Sequence, residues 1–279
     1  MDYLEELEGA VKAALDAGAA ILEIYEQDFE VEYKEDESPL TSADKASHEI
    51  IMEALSATAY PVLSEESAAV GYDERKAWTT YWLVDPIDGT KEFIKKNGEF
   101  TVNIALVEKG IPVLGVVYVP VQDTLYVGSP EGAWKIEEAA GKEGFELIAA
   151  AEEISVTGTP KGALKVVASK SHCNDETLKF IGELEADYGP AERVSRGSSL
   201  KLCMIAEGSA DIYPRIAPTM EWDTAAAHAV VTAAGGRVFQ YRDGSSASEY
   251  KTGSSSVSDV LYNKEDLLNP YFVVSGLHE

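Results

Sequence analysis

The start of the chain carries the hydrophobic pattern of amphipathic helices. Between residues 3 and 25 the apolar side chains recur at helical spacing, and acidic residues occupy the remaining face. A second such pattern begins near residue 42, directly after Thr41, which is a suitable capping residue. The pattern therefore predicts two helices before any strand.

The pattern then changes to that of strands. Short apolar runs begin at Pro61 and at Tyr81, and longer β-rich runs cover residues 100–107, 113–119 and 124–127. Short segments containing glycine or proline separate the last three runs. Because such short connections join antiparallel neighbours, these runs predict a meander.

The second half shows strands and helices in alternation. Strands are predicted at 165–168, 210–213 and 236–240, and helices at 174–187, 198–207 and 223–234. This alternation predicts a sheet that is covered on its faces. Residues 131–163, rich in Ala, Glu and Gly, are predicted to be a surface excursion that contains the boundary between two halves, 1–155 and 156–279. Residues 243–259 are predicted to be a loop.

Composition and charge restrict the partners. No apolar run approaches the roughly 20 residues that cross a bilayer, and the acidic start predicts no export signal and hence a cytoplasmic protein. The net charge of -26 argues against a nucleic-acid polymer or an anionic membrane as partner. A small anion could still bind where a divalent cation supplies local positive charge.

The strongest candidate site is the segment WLVDPIDGT at residues 82–90, in which Asp85 and Asp88 follow a predicted strand. Two carboxylates about 4 Å apart repel by about 4 kcal/mol at an effective dielectric near 20, so they need a cation or a proton. Magnesium accepts carboxylate oxygens and a backbone carbonyl such as that of Ile87. Gly89 permits close approach, and the amides of the following helix would face a phosphate. A tight turn whose aspartates cap that helix is the alternative.

Three further acids have both a chemical and a simpler interpretation. Glu65, in SEES, follows a predicted strand and is either a metal ligand or a solvated loop residue. Asp223, in EWDTAAA, is either a metal ligand or the cap of the next helix. Asp44, in TSAD, fits a capping box with Thr41, and the more specific hypothesis is that it orients a water.

Together these motifs resemble the signatures of the inositol monophosphatase superfamily of lithium-sensitive phosphatases. DPIDGT, SEES and WDTAAA occur in the same order and at similar spacing. Within that superfamily the chain resembles the bacterial 3′(2′),5′-bisphosphate nucleotidases, because it has DGTKEF where inositol monophosphatases more often have DGTxNF, and a lysine at position 201. The resemblance implies an α+β or α/β layered sandwich (αβαβα) of the type that inositol monophosphatases share with fructose-1,6-bisphosphatases.

The resemblance also implies roles for individual residues. One magnesium would be bound by Glu65, Asp85 and the Ile87 carbonyl, a second by Asp85, Asp88 and Asp223, and a third, weaker ion would lie near Glu65. Glu65 would be catalytic, as would Thr90 and Asp44, which would orient the attacking water. The residues expected to contact substrate are Asp88, Gly89, Thr90, His172, Ser198, Lys201, Arg215 and Asp223. The simpler interpretations of the cationic members are a helix-face lysine whose stem lies over apolar surface, a solvated arginine and a loop histidine.

The implied reaction is hydrolysis of adenosine 3′,5′-bisphosphate to AMP and phosphate in sulfate assimilation. An inositol or sugar phosphate is the alternative substrate on the same scaffold. Haloacid dehalogenase phosphatases need Asp-x-Asp, whereas these acids are three residues apart with a proline between them. A calcium-binding module of the EF-hand type is disfavoured because no loop has acids at alternate positions. The sequence leaves the oligomeric state open.

Overall fold

The computed structural model describes residues 3–27, 31–33, 39–67, 70–168, 174–251 and 254–278. The helices are α1 (Leu4–Tyr25), α2 (Ser42–Leu55), α3 (Tyr72–Arg75), α4 (Thr90–Ile94), α5 (Phe145–Ala150), α6 (Asp175–Tyr188), α7 (Leu200–Ala206) and α8 (Ala225–Ala233). The strands are β1 (Val31–Tyr33), β2 (Pro39–Thr41), β3 (Val62–Ser64), β4 (Thr80–Asp88), β5 (Thr101–Glu108), β6 (Ile111–Val119), β7 (Thr124–Ser129), β8 (Gly132–Glu137), β9 (Ala151–Glu153), β10 (Lys165–Val167), β11 (Glu192–Val194), β12 (Ile212–Arg215), β13 (Arg237–Gln240) and β14 (Phe272–Ser275). None of the helices in these ranges is both long and apolar enough to cross a bilayer.

The larger sheet has seven strands in the order β3 to β9. Only its first pair is parallel, and the following pairs are antiparallel as the meander predicts. β8 and β9 lie within residues 131–163 and belong to this sheet, so the prediction of a surface excursion is wrong for them, whereas α5 between them has no buried residue. The alternation of apolar and charged residues from Trp134 to Glu137 is typical of a strand with one exposed face, but it covers only four residues.

Strand β4 shows how this sheet is covered on both faces. Tyr81 and Leu83 pack in one apolar cluster with α7 and α8, whereas Trp82 and Val84 pack in another with α1 and α2. The four side chains are at most 1% exposed. Since successive side chains of a strand point to opposite faces, the continuous apolar run is the signature of a strand buried on both sides. Full burial of such a side chain stabilises the fold by about 1.5–3 kcal/mol.

The smaller sheet has five strands in the order β11-β10-β12-β14-β13. One face shares the core of α7 and α8, and the other packs on α6 through Phe180, Ile181 and Leu184. The layers are therefore α1/α2, the larger sheet, α7/α8, the smaller sheet and α6, which is the expected αβαβα sandwich. The short strands β11 and β14 were not predicted. The division into halves at residue 155 stays a prediction.

Helix α8 lies unusually close to the larger sheet. A Cβ atom on Gly115 of β6 would lie 2.0 Å from the Ala226 carbonyl oxygen, and one on Gly128 of β7 would lie 2.6 Å from Val230 Cα. Real Cβ atoms do not approach backbone so closely, so glycine is required at both positions. The close packing fixes the start of α8, directly after Asp223, relative to the sheet.

Candidate metal centre and active site

Glu65 and Asp85 are brought together by the parallel strands β3 and β4. Ser64 is paired with Val84, and the Glu65 amide donates to the Val84 carbonyl at 3.1 Å. The next residue on each strand is an acid. Because parallel strands end at the same edge of a sheet, the two carboxyl groups lie side by side, with one oxygen of each within 4.8 Å of the other.

A β-bulge separates Asp85 from Asp88. Asp85 is paired with Asn103 and Asp88 with Thr101, so β4 has one more residue than β5 between the two pairs. The proline at the bulge has no N–H to leave unpaired. The Ile87 amide turns back to donate to Asp85 Oδ1 at 3.1 Å. Both aspartates consequently line one cleft, although they are three positions apart.

The turn after Asp88 depends on glycine. Gly89 has φ of 95°, and a Cβ there would lie 2.2 Å from Ser198 Oγ. Ser198 Oγ lies 2.9 Å from the Asp88 carbonyl oxygen and 2.8 Å from that of Glu99. The Ser198 hydroxyl is therefore engaged with the backbone beneath the turn, and its predicted contact with substrate stays a prediction.

Asp223 reaches the same cleft from the other half of the chain. One oxygen each of Glu65, Asp85 and Asp223 lie within 4.8 Å of one another. The N-cap residue of α8 is Thr224, and the Asp223 carboxylate instead accepts the Met220 amide at 2.8 Å. The interpretation of Asp223 as the cap of this helix is therefore wrong, because the helix begins one residue later than a cap at 223 requires.

Nearby cations compensate the charge of the acidic cluster only in part. Asp85 is 1% exposed, and its Oδ2 has no hydrogen-bond partner among the described residues. Burial, followed by the charges of Glu65, Asp88 and Asp223, raises the pKa of Asp85 well above its usual range. Burial and the charge of Asp88 raise the pKa of Asp223 to about 8. Burial also raises the pKa of Asp88, against the opposing effects of Lys201 and Ser199.

These residues fit a hard divalent cation. The cleft has a volume of about 200 Å³, and its lining includes the carboxyl groups of Glu65, Asp85, Asp88 and Asp223 together with Ile87. Carboxylate and carbonyl oxygens are the ligands that magnesium and calcium prefer. A cation would give the orphaned Asp85 oxygen a partner and relieve the repulsion that raises the carboxyl pKa values.

Asp44 and Thr90 meet beside this cluster. The capping box is confirmed, since the Thr41 amide donates to Asp44 Oδ2 at 2.7 Å while Ala43 donates to the Thr41 hydroxyl. The Thr90 hydroxyl donates to Asp44 Oδ1 at 3.3 Å. Asp44 thus caps α2 with one oxygen and contacts Thr90 with the other, so its two interpretations are compatible.

Lys201 and Arg215 form a cationic patch close to Asp88. Lys201 Nζ donates to the Ser198 carbonyl at 3.2 Å, and burial lowers its pKa while the charge of Asp88 raises it. Arg215 ends β12 and donates to the Pro218 carbonyl at 3.0 Å, and its buried Nε has no partner among the described residues. The structure brings these two cations together. His172 lies outside the described residues.

Ser199 is a site residue that the sequence did not single out. It is 1% exposed, and its hydroxyl lies 2.8 Å from Asp88 Oδ2 and 2.9 Å from the Asp223 carbonyl oxygen. The only sequence signal is its place beside Ser198 just before a helix, which is equally typical of an ordinary cap. The sequence does not show which groups the Ser199 side chain contacts, so it could not distinguish a helix cap from a residue that contacts Asp88.

Comparison with known proteins supports one family. The sequence model described as the inositol monophosphatase family matches residues 2–273. The 3′(2′),5′-bisphosphate nucleotidase CysQ of Salmonella typhimurium is 45% identical over 240 residues, 85% of this chain and 91% of the relative. The protein of the same name from Haemophilus influenzae is 33% identical and covers 94% of this chain and 90% of its own length.

Solved structures agree with this grouping. CysQ from Bacteroides thetaiotaomicron, described as a bacterial member of the inositol monophosphatase family, matches with a TM-score of 0.84 and 45% identity over 100% of this chain and 99% of its own. An inositol monophosphatase from Anabaena matches with a TM-score of 0.67 and 23% identity over 99% of this chain and 92% of its own. The second match supports the shared fold alone.

Proposed function

The chain belongs to the inositol monophosphatase family, and we propose that it hydrolyses adenosine 3′,5′-bisphosphate to AMP and phosphate in sulfate assimilation. It is a phosphatase of the 3′(2′),5′-bisphosphate nucleotidase type. The observation that carries the substrate proposal is the 45% identity to nucleotidases over most of both chains. A cytoplasmic location is part of the proposal.

The acidic cluster would hold magnesium ions. In this proposal Glu65, Asp85 and the Ile87 carbonyl bind one ion, while Asp85, Asp88 and Asp223 bind a second, and a third, weaker ion lies near Glu65. Bound magnesium would polarise the phosphoryl group and lower the pKa of the attacking water. The support is the convergence of buried carboxyl groups with raised pKa values at one cleft.

Thr90 and Asp44 would orient the attacking water. The Thr90 hydroxyl lies 3.3 Å from Asp44 Oδ1 and 3.4 Å from the Ile87 carbonyl oxygen, so it donates to one of these acceptors and its oxygen keeps a lone pair that can accept a hydrogen bond from water. Asp44 is itself held by the capping box and cannot readily turn away. This pair would therefore fix the direction of water attack, which is the positioning component of catalysis.

The substrate proposal is tested by a small panel of phosphate esters. With magnesium present, phosphate release from adenosine 3′,5′-bisphosphate should exceed release from inositol 1-phosphate at equal concentration, and lithium should inhibit both. Release is measured by a colorimetric phosphate assay. Faster turnover of inositol 1-phosphate would contradict the substrate assignment and favour the inositol or sugar phosphate alternative.

Lys201 and Arg215 would bind the phosphate that is not cleaved. Replacing Lys201 by Met should lower kcat/KM for adenosine 3′,5′-bisphosphate by about 10- to 100-fold, because a hydrogen bond to a charged group contributes about 1.5–3 kcal/mol. Adenosine 3′-monophosphate lacks the second phosphate, so its kcat/KM should change much less. Steady-state kinetics with both substrates measures the difference.

The matched control for Lys201→Met is Lys179→Met, which removes an exposed lysine of α6. It should leave kcat/KM for both substrates unchanged. Equal losses for both substrates in Lys201→Met would show that Lys201 supports the site in general and does not recognise the second phosphate.

A further inference from the structure

Ser199 connects the two chain segments that carry Asp88 and Asp223. It precedes α7, and its hydroxyl lies 2.8 Å from Asp88 Oδ2. The same hydroxyl lies within hydrogen-bond distance of the Asp223 carbonyl. Asp88 ends β4 in the first half of the chain, whereas Asp223 precedes α8 in the second. One buried hydroxyl therefore touches both segments.

Helix capping does not explain this serine. Ser199 occupies the N-cap position of α7, but its side chain makes no capping hydrogen bond. Its single proton can be donated to one acceptor at a time, and an ionised carboxylate is a stronger acceptor than a carbonyl. When Asp88 is ionised, the hydroxyl is therefore directed to Asp88 Oδ2 while its oxygen stays against the Asp223 segment.

We propose that Ser199 is a positioning residue for the ion shared by Asp88 and Asp223. Its hydroxyl fixes the orientation of the Asp88 carboxylate and keeps it close to the Asp223 segment. The ligands from both halves of the chain are therefore in position before the ion binds. This inference rests on the proposed function of the cleft. It assigns Ser199 no contact with substrate and no part in the chemical step.

The test is magnesium binding to the substrate-free protein. Residues that orient metal ligands typically contribute 10- to 100-fold to metal affinity. Ser199→Ala should therefore weaken magnesium binding about tenfold or more in isothermal titration calorimetry, and should raise the half-saturating magnesium concentration for phosphate release by a similar factor. At saturating magnesium kcat should recover most of its wild-type value, because the side chain does not act on the substrate.

Two further variants separate this role from packing. Ser199→Cys keeps a small side chain at the buried position but replaces the hydroxyl by a weak donor, so its magnesium affinity should fall close to that of Ser199→Ala. The control is Ser209→Ala at the other end of α7, which also removes a hydroxyl bound to a carboxylate, here Glu207 at 2.7 Å. It should bind magnesium as the wild type does.

The outcomes are distinguishable. Wild-type affinity in Ser199→Ala, full recovery in Ser199→Cys, or an equal loss in Ser209→Ala would each overturn the role of Ser199. A loss of kcat that saturating magnesium does not restore would also overturn it. Failure of the wild-type protein to bind magnesium at all would instead overturn the proposed function.

Discussion

Asp85→Asn should reduce phosphate release by about a thousandfold or more while making the metal-free protein more stable. Asparagine keeps the shape of the side chain but removes a charge expected to contact both magnesium ions. Metal stabilisation of the transition state is worth several kcal/mol, and about 4 kcal/mol corresponds to a thousandfold in rate. The same substitution removes a buried carboxyl group that is repelled by its neighbours, so the melting temperature without metal should rise by several degrees at pH 8.

The opposite signs of the two effects make this variant diagnostic. Phosphate release with magnesium and thermal unfolding in EDTA are measured on the same preparation. Asp187→Asn, which changes an exposed aspartate of α6, is the matched control and should alter neither quantity. Retained activity in Asp85→Asn would refute the metal proposal, and lower stability in EDTA would show that Asp85 is a structural residue.

Without divalent ions, the protein should lose stability as the pH rises from about 4 to about 8. The carboxyl group of Asp223 has a pKa of about 8 in the folded protein and near 3.8 when unperturbed. Between these values the folded state binds more protons than the unfolded state, so the free energy of unfolding falls as pH increases. Each pKa unit corresponds to about 1.4 kcal/mol, so this one group costs the metal-free protein several kcal/mol by pH 8.

Magnesium should reverse this loss, and its effect should be larger at pH 8 than at pH 5. At pH 5 the carboxyl group of Asp223 is protonated, and its proton must leave before the ion can bind. Thermal unfolding with and without magnesium at both pH values measures the difference. Asp85→Asn provides the comparison, because it keeps the net acidity of the surface but removes part of the cluster. The same pH slope in this variant and in the wild type would assign the slope to surface charge.

Much of the site could be predicted from the sequence because its acids follow strongly patterned elements. Asp85 ends a continuous apolar run, and Glu65 follows another, so strand ends alone place both at a sheet edge. Asp44 was predicted as a capping residue from four consecutive letters, and the structure confirms the box. These inferences depend on local periodicity, which a sequence displays directly.

The remaining features depend on contacts between distant segments. Ser199 is recognisable only once β4 and the segment before α8 are adjacent. The sequence could not distinguish metal binding by Asp223 from helix capping, because the distinction depends on whether the N-cap residue of α8 is residue 223 or residue 224. Strand β8 was missed because its alternation of apolar and charged residues covers only four positions, whereas its pairing with β7 is visible only in the structure.

The two glycines beneath α8 cannot be substituted, although they take no part in the chemistry of the site. Gly115 and Gly128 contribute no atom to the cleft, yet the absence of their side chains sets how far the fourth acid stands from the other three. Substitution of either glycine would move Asp223 away from the other metal ligands, although all of the ligating residues would still be present in the sequence. A motif search that scores only the acids would then accept a protein whose metal ligands no longer lie close together.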